Sequence, residues 1–238
     1  MKKKNSSLLP GLAVLAFISF SFSSCLKSST SGSVSTSTPM TYISILNLAP
    51  YAPAVDVIFN GTTATQNLNP DTYFSSYSQV NPGAYDIKFV KDGSDSLVSE
   101  IPTSQYDSLN FYTLVLYNTS HNSTQAIAIH DNFSNVTNSY SYYRFFNMNP
   151  DLGGVDLYLS NALVQSNRKP ADNANAGSTY NYFQGIQPGY YTVILKATGT
   201  DSLIASATSI DISAGNVYTF MLAGKGANST FNVLPGTY

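Results

Sequence analysis

The stretch ILNLAPYAPAVDVIFNG at residues 45–61 returns in weaker form as FFNMNPDLGGVDLYLSN at residues 145–161. The shared order is an apolar strand, an Asn, a Pro-containing turn and a Val-Asp strand. Asn47 falls on Asn147, Pro50 on Pro150, Val55 on Val155 and Asp56 on Asp156. A unit written twice in one order constrains the fold more than any single motif does. It points to two copies of one small β unit, with one large sandwich as the alternative.

The repeat continues after one change of offset, from 100 to 106 residues, between the two halves. Gln187-Pro188-Gly189 then falls on Asn81-Pro82-Gly83, and Tyr191, Val193 and Leu195 repeat the face made by Tyr85, Ile87 and Phe89. Asp201-Ser202-Leu203 falls on Asp95-Ser96-Leu97, and residues 217–222 on 111–116. The change of offset places a six-residue insertion in the loop containing Arg168, Lys169 and Pro170.

Each unit reads as short strands. Residues 42–48 alternate, with Tyr42, Ser44, Leu46 and Leu48 on one face and Ile43 and Ile45 on the other. Pro50 and Pro53 enforce an extended turn, and residues 55–59 return as a strand with Asp56 opposite the Val face. Asp56 is expected either to accept hydrogen bonds from turn amides at 51–54 or to sit in solvent; a ligand or metal role is the lesser alternative. Asn60-Gly61 supplies a tight turn. Strands are expected at 64–68, 73–78, 85–90, 97–101, 111–117 and 125–129, a pattern of a sandwich or small barrel. The fold class is therefore all-β.

Tyr 18 and Phe 13 with only 10% charged residues make the chain too apolar and aromatic for disorder. A net charge of −2 gives no basic field for phosphates, which argues against nucleic acid as a partner. Lys2, Lys3 and Lys4 precede an apolar run at 8–22 that ends in FSSC, with Cys25 the only cysteine. This resembles a bacterial lipoprotein signal, cut before a cysteine that carries the lipid. On that reading residues 1–24 are a signal peptide whose loss takes the net charge from −2 to −5. Residues 25–40 are a lipidated Cys25 and a Ser/Thr-rich tether, and 41–134 and 141–238 are two β domains. The resemblance implies attachment to the cell envelope, with the outer membrane expected and the leaflet open.

At LNLAPYAPAVDVIFNG and NPGAYDIKFV the chain resembles the DUF4397 domain family of exported bacterial proteins. Ala49, Pro50, Ala52, Pro53, Val55, Asp56, Val57 and Gly61 carry the first motif, and Pro82, Gly83 and Tyr85 the second. In the second unit Pro150, Val155, Asp156, Pro188, Gly189 and Tyr191 match. The resemblance implies two tandem immunoglobulin-like β-sandwiches, and it assigns no molecular role. The chain also resembles Bacteroidetes lipoproteins, in which Asp-Ser-Leu resembles an O-glycan attachment motif; this implies Ser96, Ser108 and Ser202 as glycan sites.

No set of residues points to catalysis. His130-Asp131 is a poor base and orienter, because neighbours on a strand face opposite ways. Asp92, Asp95 and Glu100 read as an acidic turn and not as a calcium loop. No cofactor and no metal is expected. Tyr140, Tyr142, Tyr143, Tyr180 and Tyr182 are the candidate ligand or interface residues, because alternation must leave some of them facing away from their own core. Packing at a seam between the units is their alternative role. The expected function is a membrane-anchored, non-enzymatic envelope protein that binds an envelope protein or glycan or plays a structural role. A carbohydrate-binding module is the alternative, with a hydrolase using His130 the lesser one.

Overall fold

The computed structural model describes residues 39–73, 76–173 and 177–236, so the signal-like segment, Cys25 and most of the tether lie outside the described residues. The described chain is all-β and of β-sandwich type. Its only helical segments are two short 3-10 turns, Pro170–Asn173 and Thr179–Asn181, and no described helix is long and apolar enough to cross a membrane.

The first half holds β1 (Thr41–Leu48), β2 (Val55–Phe59), β3 (Thr62–Leu68), β4 (Thr72–Tyr73), β5 (Ser78–Val80), β6 (Gly83–Lys91), β7 (Leu97–Tyr106), β8 (Phe111–Ser120) and β9 (Ser123–Asp131). One sheet runs β4-β1-β8-β9 with β5 also on β1, and a second runs β3-β2-β6-β7. All pairings are antiparallel except β1 with β8, which run parallel. The single strand expected at 73–78 is two short ones, both paired with β1. The strand expected to end at 101 runs on through Pro102 to Tyr106. That proline sits on an edge strand, where no ladder bond is lost.

The second half holds β10 (Ser141–Asn147), β11 (Val155–Leu159), β12 (Ala162–Arg168), β13 (Gln184–Ile186), β14 (Gly189–Ala197), β15 (Leu203–Ile212), β16 (Val217–Lys225) and β17 (Asn228–Gly236). Its sheets, β13-β10-β16-β17 and β12-β11-β14-β15, follow the strand order of the first half, including the parallel pair β10 and β16. The offset is 100 residues through β12 and 106 from β13 to the start of β16. The extra residues lie between them, where the 3-10 turns form.

Alternation builds a core between the sheets of each half. Ile43, Ile45, Val55, Val57, Ile87, Phe89, Leu114 and Leu116 fill the first. Phe145, Val155, Leu157, Val193, Leu195, Phe220 and Leu222 fill the second. Strand β8 reads FYTLVLY with hardly a polar break, the signature of a strand covered on both faces. Its other face, with that of β1, supplies Leu46, Leu48, Val115 and Tyr117 to a third core.

The opposite wall of that third core comes from the second half: Phe146, Met148, Met221, Ala223 and Leu234, with Ile129 added from β9. Leu46 and Phe146 occupy matching positions in the two halves, as do Leu48 and Met148, Val115 and Met221, and Tyr117 and Ala223. The same patch is therefore used from both sides, the pattern of an isologous interface. The sheets stack as four layers, and the two inner ones carry the shared core.

Candidate functional site

The repeated polar residues hold backbone in place. Asn47 Nδ2 donates to the Leu68 carbonyl at 2.9 Å, and Asn147 Nδ2 to the Arg168 carbonyl at 2.9 Å. Each amide oxygen also accepts from the backbone N–H two residues on. Asp56 Oδ1 accepts from Asn67 N at 2.9 Å and Asp156 Oδ1 from Asn167 N at 2.8 Å. Both Asn residues sit at positive φ in a bulge between paired strands.

Asp56 therefore pins the end of β3, and through Gly93 N at 3.4 Å the β6–β7 turn, and not the 51–54 loop expected from the sequence. Thr198 adds a 2.7 Å bond to Asp156. Burial alone would raise the Asp156 carboxyl, but the bonds from Asn167, Thr198 and Gly199 outweigh it and hold the group below its ordinary value.

The remaining motif residues shape turns. Pro50 and Pro53 flank the β1–β2 turn closed by Ala52 N on the Ala49 carbonyl at 3.0 Å, and Pro150 begins its counterpart. Gly61, at φ +81, completes the two-residue β2–β3 turn with Asn60 at φ 48. Pro82-Gly83 and Pro188-Gly189 lead into β6 and β14. There Tyr85 donates to the Asn81 carbonyl and Tyr191 to that of Gln187, both at 2.7 Å.

Two polar clusters join the halves. Arg144 and Asp131, 2% and 3% exposed, form an ion pair at one end of the shared core. Arg144 also donates to Thr219 Oγ1 at 2.9 Å and to Thr113 Oγ1 at 3.2 Å, matching positions in the two halves. Tyr77 and Thr113 donate to Asp131. Burial, and then Asp131, push the Tyr77 hydroxyl well above its ordinary value. At the other end Tyr51 donates to Asp151, its own counterpart 100 residues on, at 2.6 Å. Gly226 N and His121 bond the same carboxylate, which the Tyr51 bond holds below its ordinary value.

The sequence places Arg168 in the loop that takes the insertion; it is instead the last residue of β12 and fully buried. It bonds Gln165, Asp172 Oδ2 at 3.3 Å and Asn173 Oδ1 at 3.0 Å, with the Tyr180 ring 3.9 Å from its guanidinium carbon. A charged residue beside Lys and Pro reads as loop because most of its partners, Asp172, Asn173 and Tyr180, come later in the chain.

A concave surface with exposed aromatic character lies around Tyr182. A cavity of about 450 Å³ is lined by Tyr106, Tyr112, His130, Asn132 and Tyr182, with Ser104, Gln105, Ala128 and Gly177. A second, of about 470 Å³, is lined by Asn132, Asn135, Val136, Tyr142, Tyr182 and Phe183. Tyr182 and Asn132 line both, so the two form one trough on either side of a ring that is 51% exposed. Among the described residues, no Asp, Glu, Lys or Arg lines it.

Its walls are held from behind. Phe183, next to Tyr182, packs on Phe133 at 5.4 Å and under the Arg144 guanidinium at 4.6 Å. Tyr142 donates to the Asn135 carbonyl at 2.9 Å and accepts from Thr137 N at 3.1 Å. His130 lies against Tyr112 at 5.1 Å with Nε2 3.1 Å from Asn110 Oδ1. Tyr106 is 1% exposed, its hydroxyl pushed up to about 12 by burial, and that hydroxyl has no hydrogen-bond partner among the described residues.

The candidate tyrosines thus separate. Tyr142 and Tyr182 line the trough and Tyr140 is exposed. Tyr143 is 4% exposed in the second core, its hydroxyl 3.3 Å from Gln184 Oε1, and is not a surface residue. Tyr180 is engaged on Arg168. None of the five belongs to the shared core, where Tyr73 and Tyr117 lie instead. Alternation could have assigned Tyr143 inward with Phe145. Tyr112 and Asn132 were missed, and His130 was weighed only as a catalytic base, because they come from elements far from Tyr182 in sequence. His130 and Asp131 do face opposite ways, one to the trough and the other into the seam. Ser96, Ser108 and Ser202 are all exposed at turns, beside Leu97, Leu109 and Leu203 at 55%, 66% and 60% exposure.

Residues 41–158 match the family described as Domain of unknown function (DUF4397). The match runs from the first residue of β1 almost to the end of β11, taking in both first-half sheets, Asn47, Asp56, Gly61 and the Pro82-Gly83 motif. In the second half it takes in Asn147, Pro150 and Asp156. The trough is built partly within the DUF4397 match, by Tyr112, His130, Asn132 and Tyr142, and partly beyond it, by Tyr182. No curated protein matches the chain.

Proposed function

We propose that the protein is a lipid-anchored, non-enzymatic component of the cell envelope, in which two tandem immunoglobulin-like β-sandwich domains, 41–134 and 141–238, bind or position another envelope component. The observation that carries this reading is the shared third core. Joining two sandwiches through matching faces makes a stiff body suited to presenting a surface at the end of a Ser/Thr-rich tether. The paired Tyr85 and Tyr191 bonds to carbonyls four residues upstream resemble the tyrosine corner of immunoglobulin-like sandwiches and support that finer assignment.

The anchor rests on the FSSC sequence and on Cys25 being the only cysteine. Acyl chains on that residue would hold the body at the outer membrane, each buried CH₂ contributing about 0.8 kcal/mol. The non-enzymatic role is supported by the bonds of the two histidines, His121 to the Asp151 carboxylate and His130 to the Asn110 amide, neither of which activates a hydroxyl. The exposed leucines following Ser96, Ser108 and Ser202 support their use as O-glycan sites, since a leucine that adds nothing to a core remains free to be recognised.

Radioactive palmitate labelling of the full chain against Cys25→Ser tests the anchor. Label lost from the variant, with the variant released to the soluble fraction, is the expected result; equal labelling rejects the reading.

A further inference from the structure

We propose that the trough around Tyr182 is a binding site for an uncharged oligosaccharide. The proposal rests on the binding role above and names its ligand class. It arises from what the trough is made of. A half-exposed aromatic ring stands between two cavities, each inside the roughly 300–1,000 Å³ range of small-ligand sites. Such a ring offers a flat apolar face to the C–H face of a sugar while its hydroxyl stays in water. The polar groups around it are amides, hydroxyls and an imidazole, which can both donate and accept as sugar hydroxyls require.

The absence of charged lining residues sets the ligand's own charge. With no carboxylate, ammonium or guanidinium among the described residues that line the trough, an anionic or cationic chain would lose its hydration there without a counter-charge. A neutral ligand bears no such cost. Because the two cavities share Tyr182 and Asn132, the fitting ligand spans the ring, which makes it an oligosaccharide and not a single sugar.

The site is also prebuilt. Phe183 is clamped between Phe133 and Arg144, and Tyr142 is tied at its hydroxyl to residues 135 and 137. Rigid aromatic walls reduce the ordering cost that binding must offset. On the same wall Tyr106 adds a buried hydroxyl without a partner among the described residues, an arrangement that native structures rarely leave without a reason. Tyr182 comes just after the extra residues of the second half. Its counterpart 106 residues earlier is Ser76, so the first half has no copy of the site.

Binding is read by isothermal titration calorimetry, because the trough holds only a few of the chain's 18 tyrosines and their emission would not report on it alone. The purified full chain in detergent would be titrated with neutral hexasaccharides of glucose, mannose, galactose and N-acetylglucosamine, and with a galacturonate hexamer. Saturable binding of at least one neutral chain is expected. Tyr182→Ala should weaken it about tenfold or more, the loss typical of a central aromatic contact, and Asn132→Ala several-fold. Tyr182→Phe should keep it within about threefold, because the ring remains. Tyr190→Ala, which removes a 75% exposed tyrosine outside the trough, should leave it unchanged.

Silence across all neutral chains would overturn the proposal. So would salt-sensitive binding of the galacturonate chain alone, or binding that survives both Tyr182→Ala and Asn132→Ala. None of these outcomes depends on Cys25, so palmitate labelling and sugar titration can fail separately.

Discussion

Position 68 in the first half and position 168 in the second do the same backbone work with opposite side chains. Each ends the strand after a two-residue turn, and each offers its carbonyl to an Asn amide at 2.9 Å. Leu68 is 2% exposed in an apolar core, while Arg168 is fully buried among Gln165, Asp172, Asn173 and Tyr180. The backbone frame is thus indifferent to polarity at this point, but a buried guanidinium is not. Asp172, Asn173 and Tyr180 all lie in the segment where the second half is longer. The inserted residues supply the partners that an arginine needs and a leucine does not. The same segment then carries Tyr182 to the trough.

The comparison can be broken by swapping the two residues. Leu68→Arg places a charge in the first core, where Asp172 and Asn173 have no counterparts. The expected loss exceeds about 4 kcal/mol, read as a collapse of the urea midpoint or of soluble yield. A second test asks whether the halves depend on each other. Arg144→Ala strands Asp131 inside the seam and should cost about 3–5 kcal/mol. Because the third core ties the sheets together, calorimetry should still show one transition; two separated transitions would mean that the halves melt independently.

The reverse swap should be milder. Arg168→Leu removes the charge but leaves Gln165 and Asn173 without their partner, and about 2–3 kcal/mol is expected in urea unfolding. Adding Gln165→Thr, the residue at the matching position 65, should recover part of it. Smaller again is the repeated amide. Asn47→Ala and Asn147→Ala should each cost about 1–3 kcal/mol, because a buried carbonyl loses its donor. Near-equal values would sharpen the claim that the frame is common to both halves.

The smallest effect concerns acid. Asp156 titrates below the ordinary 3.8 when folded, so its contribution is fully present above about that pH and is lost as pH falls through the lower folded value. Asp156→Asn should therefore make the decline of the urea midpoint shallower on the acid side below about pH 4, with the curve near neutrality only displaced. An unchanged acid slope would show that its bonds to Asn167 and Thr198 do not discriminate the charged form.

Much of the frame was legible because β structure repeats every two residues and turns have a residue chemistry of their own. Asn60-Gly61, Pro82-Gly83 and the Tyr85, Ile87, Phe89 face all lie where pattern put them, and the shift from 100 to 106 located the longer segment. The split of the expected 73–78 strand escaped, since two or three residues carry too little pattern to read.

The sequence by itself determined most of the strand list, the faces of the longer strands and the correspondence between the halves, all of which follow from local stereochemistry and from copying. Tertiary structure alone decided what covers the second face of β1 and β8, which polar groups meet Arg168, and that Tyr182 stands beside Tyr112, His130 and Asn132. Alternation says that Leu46 and Leu48 leave the first core together, but not where they go. That destination depends on another surface of matching shape and polarity, and no local pattern encodes the pairing of two surfaces distant along the chain.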